Sequence, residues 1–245
     1  MSSVHDWDRL TREEVRLLAA DALTVIPVGT TEQHGPHLAT GTDALIAGSV
    51  ARLAAEAAHV KDILLAPTLP YGASHHHLPF GGTLSLEVTT LQRVLGDLLA
   101  SAAKAGCKHV FVVNAHGGNT ASCITAVTEA SREHGIVAAT ALIGDLLEPG
   151  EAGGPVRGHA GSFETSLLLE LDPGCVRPDL AKPSPGGAAR TRSRGLVVAE
   201  PGRWHELDGY TDNPEDASRD RGRVALAACT QALARCFDEV AAIAC

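Results

Sequence analysis

Apolar positions along the chain follow two periods, one typical of buried strands and one typical of helices. The runs Leu23–Val28 and His109–Val113 are short and rich in β-branched residues, which predicts buried strands. Apolar residues three and four apart in Val88–Ala105 predict an amphipathic helix that ends at Gly106. Further strands are predicted at Ile63–Ala66, Thr83–Leu86 and Ile136–Ile143, and further helices at Thr11–Ala20, Ala44–Ala58, the residues after Asn119 up to His134, Phe163–Leu171 and Pro214–Ala242.

Capping residues and turn-forming residues set the boundaries of these elements. Thr11 and Glu14 form a capping-box pattern, and Asp43 and Asn213 are suitable N-caps for the helices that follow them. Glycine and proline content predicts loops or linkers at Pro70–Gly82, Gly144–Gly158 and Arg177–Arg194.

The order of the elements predicts the fold class. Strands alternate with helices of ten or more residues, which is typical of a mostly parallel sheet covered by helices on both faces. The sequence shows no internal repeat and no change of composition regime. We therefore expect an α/β fold, a three-layer α/β/α sandwich, formed by a single domain over residues 1–245.

Composition limits the classes of function. The chain is 44% hydrophobic but only 3% aromatic, so the core must consist mainly of Ala, Val, Leu and Ile. A net charge of −9 without a basic stripe argues against nucleic-acid binding. No apolar run approaches the length of a membrane helix. Met1–Leu10 lacks a secretory pattern and the six cysteines form no CxxC pair, so we expect free thiols and a cytoplasmic location.

Potential metal ligands follow the first predicted buried strand. Glu32, His34, His37 and Asp43 lie on the loop that leaves Leu23–Val28, where α/β sheets commonly bind ligands. Any one of them alone is better explained as loop polarity, and Asp43 also suits a helix cap. The set as a whole favours a ligand site.

A second buried strand is followed by the sequence Asn-Ala-His-Gly-Gly-Asn, which contains His116. Gly117 and Gly118 permit unusual backbone angles and close approach of another group. A phosphate-binding loop at the start of the next helix is an alternative, although the Walker pattern is absent. A lone histidine here is more often structural, but other ligand-type residues accompany this one.

The third cluster is Gly-His-Ala-Gly-Ser-Phe-Glu-Thr-Ser, which places His159 at a helix start and Glu164 in its first turns. Glu164 lies among small residues and before Leu167–Leu169, which predicts a buried carboxylate that needs a partner, such as a metal ion. The full set of candidate ligands suits Zn, Mn or Fe(II), and its carboxylate content suits two ions about 3.5–4 Å apart, with Asp43 as the bridge. This set comprises Glu32, His34, Asp43, His116 and Glu164.

The loop Pro70–Gly82 carries three consecutive histidines. They could form a metal-binding tract, but we favour lining of a substrate pocket. The candidate substrate-binding residues are His37, Tyr71, Ser74, His75, His76, His77, Gly117 and Gly118.

Together these motifs resemble the creatininase family of amidohydrolases. The matching features are E-x-H-G-x-H-L with an aspartate eleven residues after the glutamate, then N-x-H-G-G-N, then H-A-G-x-x-E-T-S. The resemblance covers most of the chain, and the combination of motifs is far more specific than any one of them.

The resemblance implies a creatininase-like sandwich, a dinuclear metal centre and a homohexamer. It implies that Glu32, Asp43 and His116 hold one ion, that His34 and Asp43 hold the other, and that His159 is catalytic. Creatininase completes its second site with a glutamate where this chain has Gly118, and Glu164 is the carboxylate best placed to replace it, as a ligand and catalytic group.

The expected activity is hydrolysis of a C–N bond in a small, often cyclic, amide or in a formamide by a metal-activated water. Creatininase itself also uses tryptophans near its substrate, whereas Trp7 and Trp204 are both distant in sequence from the stretch before His159. The N-A-H-G-G-N form is similar to formamide deformylase-like and mycofactocin-precursor peptidase-like members, so trimming of a short modified peptide is an alternative. A non-enzymatic metal-binding homologue is a third hypothesis.

Overall fold

The computed structural model describes residues 2–147, 150, 158–185, 198–200 and 202–244. Within these ranges one five-stranded sheet has the order β1-β3-β2-β4-β5, and every neighbouring pair is parallel. This architecture confirms the predicted α/β class with a parallel sheet. The strands are β1 (Ser3–Asp6), β2 (Leu23–Val28), β3 (Asp62–Leu65), β4 (His109–Asn114) and β5 (Val137–Leu142).

Helices cover both faces of the sheet. Successive strand residues point to opposite faces, so Val25 and Phe111 pack in one core while Ile26 and Val112 pack in the other. The first core is completed by α2, α5 and α7, and the second by α3 and α4, which gives the predicted three layers. The described helices are α1 (Arg12–Leu18), α2 (Thr42–Ala57), α3 (Val88–Ala105), α4 (Thr120–His134), α5 (Ser162–Leu171), α6 (Arg203–Glu206) and α7 (Arg219–Ala241).

Two strand predictions need correction. β1 was not expected, because this edge strand is short, polar and only partly buried, and β3 is its one partner among the described strands. The strand predicted at Thr83–Leu86 is wrong, since only Leu84 forms a bridge, to Thr31. That segment makes single backbone hydrogen bonds to loops, and no strand in the described ranges pairs with it along its length.

Two helix starts also differ from prediction. α2 begins at Thr42 after Gly41, so Asp43 lies inside the first turn and is not the N-cap. The last helix begins at Arg219, because the Ser218 hydroxyl accepts the hydrogen bond from the Arg221 backbone N–H. The predicted cap Asn213 instead precedes a separate 3-10 turn. The capping box of Thr11 and Glu14 is confirmed at the start of α1.

Gly29 controls how closely α2 approaches the end of β2. A Cβ atom at this position would lie 2.4 Å from the Ala44 backbone nitrogen and 2.5 Å from the Asp43 carbonyl carbon. Real Cβ atoms do not tolerate such contacts, so only glycine allows the first turn of α2 to rest on the end of the strand. This close packing places Asp43 at the carboxyl edge of the sheet.

Parts of two predicted loops lie outside the described residues, namely 148–149 and 151–157 of the predicted linker and 186–194 of the predicted Arg177–Arg194 loop. Among the helices in the described ranges, none has the length and apolar character needed to cross a bilayer.

Candidate active site

A cluster of buried carboxylates and imidazoles lies at the carboxyl ends of β2 and β4. Glu32, His34 and Asp43 are at most 1% exposed, and each offers a ligand atom within 4.8 Å of the other two. His116 joins them from the loop after β4, because β2 and β4 are adjacent parallel strands. The position is the edge at which parallel sheets place their ligand sites.

The carboxylate of Glu32 is the most informative group in this cluster. Both of its oxygens are buried and have no hydrogen-bond partner among the described residues. Its Oε1 lies 3.2 Å from His116 Nδ1 and 3.5 Å from His159 Nδ1. An unpaired buried carboxylate is costly unless a cation neutralises it. The donor set of oxygen and imidazole nitrogen atoms around it fits a divalent metal ion.

His34 and His116 are oriented as metal-ligating histidines usually are. His34 donates Nδ1–H to the Glu32 carbonyl oxygen over 3.1 Å, which leaves Nε2 facing Asp43 Oδ1 at 3.3 Å. His116 donates Nε2–H to the Ala73 carbonyl oxygen over 3.3 Å, which leaves Nδ1 facing Asp43 Oδ2 at 3.3 Å. In both rings a backbone carbonyl fixes the tautomer, so the free nitrogen lone pair points into the cluster.

Asp43 lies between the two histidines. Its Oδ1 faces His34 and its Oδ2 faces His116, while Oδ2 also accepts a hydrogen bond from the Thr30 hydroxyl at 2.8 Å. One oxygen is therefore directed to each side of the cluster. This arrangement is compatible with a bridging carboxylate.

The surrounding charges favour a cation at the centre. Burial alone would lower the pKa of His34, but Asp43, Glu164 and Glu32 together raise it to about 10. Burial alone would also lower the pKa of His116, but Glu32 and Asp43 raise it to about 10. The carboxylates thus stabilise positive charge here, carried either by protons on the imidazoles or by metal ions.

Glu164 approaches the cluster from α5. Its Oε2 lies 4.0 Å from His34 Nε2 and accepts the Ala160 backbone N–H over 2.5 Å. Burial and the nearby Asp43 and Glu32 carboxylates raise the pKa of Glu164 to about 7, against the opposing effect of His34. His34, His159 and Glu164 form a second group whose ligand atoms lie within 4.8 Å of one another.

The position of Gly118 excludes the glutamate that the resemblance implies there. A Cβ atom at this residue would lie 2.4 Å from the Ala73 carbonyl oxygen and 2.4 Å from His116 Nε2. Any side chain would therefore break the hydrogen bond that orients His116. On this backbone the missing carboxylate cannot come from residue 118.

His159 is held by two segments that are distant in sequence. Its Nε2–H donates to the Gln33 carbonyl oxygen over 2.8 Å, and its backbone N–H donates to the Thr211 hydroxyl over 2.8 Å. Thr211 returns a backbone hydrogen bond to the His159 carbonyl over 2.9 Å. Burial, with His34 and His77 nearby, holds the pKa of His159 well below its usual value. The neutral ring presents an Nδ1 lone pair to the cluster.

A cavity of about 380 Å³ opens above the cluster, which is large enough for a small organic molecule. Its wall carries polar groups that could contact a reacting bond, together with the apolar side chains of Ile46, Phe163 and Ile143. The polar lining consists of His76, His77, His116, Gly117, Gly118, Asp145, His159 and Glu164.

A protein-family model described as creatininase, creatinine amidohydrolase, matches residues 8–237, which is nearly the whole chain. The chain belongs to the creatininase family. The creatininase-like sandwich that the resemblance implied is thereby supported by both sequence and fold.

Relatives within the creatininase family include enzymes with different substrates in their names. The mycofactocin precursor peptide peptidase of Mycobacterium tuberculosis (strain CDC 1551 / Oshkosh) is 39% identical over 165 residues, which are 63% of this chain and 61% of that protein. The creatinine amidohydrolase of Pseudomonas putida is 29% identical over 249 residues, which are 92% of each protein.

A solved structure described as "Creatininase Mn" superposes with a TM-score of 0.82 at 27% identity, covering 97% of this chain and 98% of that one. In this chain the buried clusters of histidines and carboxylates offer oxygen and nitrogen ligand atoms within 4.8 Å of one another, a donor set suited to a divalent metal ion.

Four predicted substrate-binding residues of this creatininase-family site lie outside the described cavity lining. His37 is buried, with its Nε2 3.1 Å from the Thr165 hydroxyl, and Ser74 is buried, with its Oγ 3.3 Å from His116 Nε2. Tyr71 is 43% exposed. His75 faces the surface and contacts Ser85 and Glu87. Of the three consecutive histidines, the structure brings only His76 and His77 to the cavity.

Two residues of the site escaped the sequence analysis. Trp204 was not a candidate because it is distant in sequence from the stretch before His159, yet it lines the cavity, with its ring 4.6 Å from that of His77 and 5.7 Å from that of His159, centroid to centroid. It lies on α6, and no local sequence pattern indicates that this helix reaches the cavity. Gln33 was not identified as a site residue because it lies between two stronger candidates for metal ligands in the sequence Glu-Gln-His.

Proposed function

We propose that this chain is a metal-dependent amidohydrolase that cleaves a C–N bond, in a cyclic amide, an amidine or a formamide, of a small molecule. The observation that carries the proposal is the buried Glu32 carboxylate, which lacks any described hydrogen-bond partner and lies against His116 and His159, two residues that line the cavity. A cation-binding group beneath a substrate-sized cavity is an arrangement suited to hydrolysis.

We propose two divalent ions, Zn, Mn or Fe(II), per chain. Glu32, Asp43 and His116 would hold one, and His34, Asp43 and Glu164 would hold the other, with Asp43 between them. The positions of the free nitrogen lone pairs of both histidines support this division. Such ions supply Lewis acidity toward a carbonyl oxygen and lower the pKa of a water.

His159 is proposed as the catalytic proton carrier. Its Nδ1 faces the centre with a free lone pair, because its Nε2–H is committed to the Gln33 carbonyl. The ring can accept a proton from the attacking water as the water oxygen bonds to the carbonyl carbon. It can then return that proton to the nitrogen as the C–N bond breaks, which leaves an acid and an amine. Glu164, whose Oε2 lies 4.0 Å from His34 Nε2, is proposed as a second catalytic group at the same centre.

A second candidate is a peptidase that trims a short modified peptide. It is supported by the 39% identity to a mycofactocin precursor peptide peptidase, against 29% to a creatinine amidohydrolase. A peptidase function would require an extended substrate to enter the cavity. Activity on a short precursor-type peptide together with inactivity on cyclic amides and formamides would favour it over the first candidate.

The test is hydrolysis of a panel of cyclic amides, formamides and short peptides by metal-loaded protein, before and after chelation. We expect activity on one substrate class that is lost on chelation, regained with metal and abolished in Glu32→Gln. Glu87→Gln, which alters an exposed carboxylate, serves as the matched control. Full metal loading without activity on any class would instead support a non-enzymatic metal-binding protein.

We also propose that residues 1–245 form a single domain, that the chain assembles into a homohexamer and that it works in the cytoplasm. The hexamer follows from the family resemblance, and light scattering would test it. Five described cysteines are free, and three of them are buried, which supports a reducing compartment.

A further inference from the structure

The side-chain amide of Gln33 has a fixed orientation. Its Oε1 accepts the Gly35 backbone N–H over 2.9 Å, so the amide nitrogen must occupy the other position. That nitrogen donates one hydrogen to the Gly209 carbonyl over 2.5 Å and the other to His77 Nδ1 over 2.8 Å. It also lies 3.2 Å from His159 Nε2, which gives its own hydrogen to the nearer Gln33 carbonyl oxygen at 2.8 Å. Reversing the amide would oppose two oxygens at Gly209 and leave the Gly35 N–H unpaired.

The hydrogen bond from the Gln33 amide nitrogen to His77 Nδ1 determines which ring nitrogen of His77 carries the proton. Because Nδ1 accepts, it carries no proton, and a neutral ring must then carry its hydrogen on Nε2. His77 is fully buried, and its Nε2 has no hydrogen-bond partner in the part of the chain that the structure describes. Nε2 lies 3.8 Å from Glu32 Oε1, so an unused N–H donor points at the centre.

The neighbouring ring of His159 is turned the other way, so that its Nδ1 and not its Nε2 faces the centre. The two rings stack with centroids 4.2 Å apart and planes inclined by 20°. His159 gives its Nε2–H to the Gln33 carbonyl oxygen and turns an Nδ1 lone pair toward the same Glu32 oxygen. Gln33 thus makes the His77 ring a hydrogen-bond donor and the His159 ring a hydrogen-bond acceptor toward the same Glu32 oxygen.

We propose that Gln33 is a positioning residue that fixes His77 as an Nε2–H donor to the substrate's carbonyl oxygen, while His159 is left free to accept a proton. The inference rests on the proposed amidohydrolase function for its substrate class. It assigns His77 a hydrogen bond that strengthens as negative charge develops on that oxygen, and His77 keeps its proton throughout. The alternative, His77 as a metal ligand through Nε2, requires the opposite tautomer.

The first experiment is ¹⁵N NMR of histidine-labelled, zinc-loaded protein, which reports the ring tautomer directly and needs no activity. Zinc is chosen because it is diamagnetic. The His77 signals are assigned by their loss in His77→Gln. We expect Nε2 protonated in the wild type and a mixture of tautomers in Gln33→Met, with the wild-type pattern kept in the control Gln92→Met. An unprotonated Nε2 in the wild type, or an unchanged pattern in Gln33→Met, overturns the proposal.

The second experiment separates a donor from a ligand. We expect His77→Ala to lower kcat by about 100-fold with KM and metal content little changed, and His77→Gln, which restores an N–H, to recover part of that loss. Gln33→Met should lower kcat by about 10-fold. Loss of metal from His77→Ala would make His77 a ligand and refute the donor role. Absence of any wild-type activity would count against the proposed function, while the tautomer measurement would still decide the positioning role.

Discussion

The Oε1 atom of Glu32 and the Nδ1 atom of His116 lie 3.2 Å apart at the ends of two adjacent parallel strands. Neither Glu32 oxygen has a hydrogen-bond partner among the described residues, and His116 turns its Nδ1 toward Glu32 because its Nε2–H is donated to the Ala73 carbonyl. A buried carboxylate and an imidazole nitrogen held this close are arranged to share a cation, which is a proton on the imidazole in the metal-free protein and would be a metal ion in the loaded protein. The remaining features of the site follow from this relationship.

Replacing His159 by alanine should reduce turnover without removing metal. The ring carries the proposed proton, so we expect kcat to fall by about 10²–10⁴-fold while the ligands Glu32, Asp43 and His116 stay in place. The measurement is kcat together with metal content by elemental analysis, with His134→Ala as a surface control. Unchanged turnover would refute the catalytic role, and lost metal would make His159 a ligand.

Replacing Gly118 by alanine should weaken metal binding, whereas the same change at Gly117 should not. A Cβ at residue 118 meets the Ala73 carbonyl and His116 Nε2 at 2.4 Å, but one at residue 117 meets no atom of the described residues within 4 Å. Displacing the acceptor that orients a ligating histidine costs about 10–100-fold in metal affinity. Zinc titration against a competing chelator measures both variants. Equal affinity in the two would show that the hydrogen bond to Ala73 does not orient His116.

Metal affinity should rise with pH. Neighbouring carboxylates overcome burial and raise the pKa of His34 and His116 in the metal-free protein to about 10, so both rings are protonated near neutrality. A metal ion must displace these protons, and each proton released contributes about a tenfold gain in affinity per pH unit until the pH reaches that pKa. Calorimetry in buffers of different ionisation enthalpy counts the protons. Binding that releases no proton between about pH 6 and pH 8 would contradict these assignments.

The sequence predicted the sheet and the ligand loops because both depend on local patterns. β2 is a continuous apolar run, and it is buried at every position, as its composition indicates. Glu32 and His116 could be singled out because each directly follows such a run. The two residues lie close together because β2 and β4 are neighbours, an arrangement that a parallel sheet readily allows.

The parts that could not be predicted depend on long-range packing. Trp204 reaches the cavity through α6. The role of Gln33 depends on its hydrogen bonds to Gly209 and His77, which lie close to it only in the folded chain. His75 and His77 are indistinguishable in sequence, yet the 3-10 turn that carries them buries His77 and exposes His75. Only the fold separates a site residue from a surface residue there.

The most direct test of the account is the metal content per chain of the wild type and of Glu164→Gln, with Glu170→Gln on the same helix as control. Glu164 is the carboxylate nearest His34 after Asp43, whereas Glu170 pairs with Arg219 at the surface. The account predicts about two ions in the wild type and in Glu170→Gln, falling toward one in Glu164→Gln. About one ion in all three proteins would contradict the two-ion centre and leave a mononuclear hydrolase in which nothing replaces the carboxylate missing at Gly118.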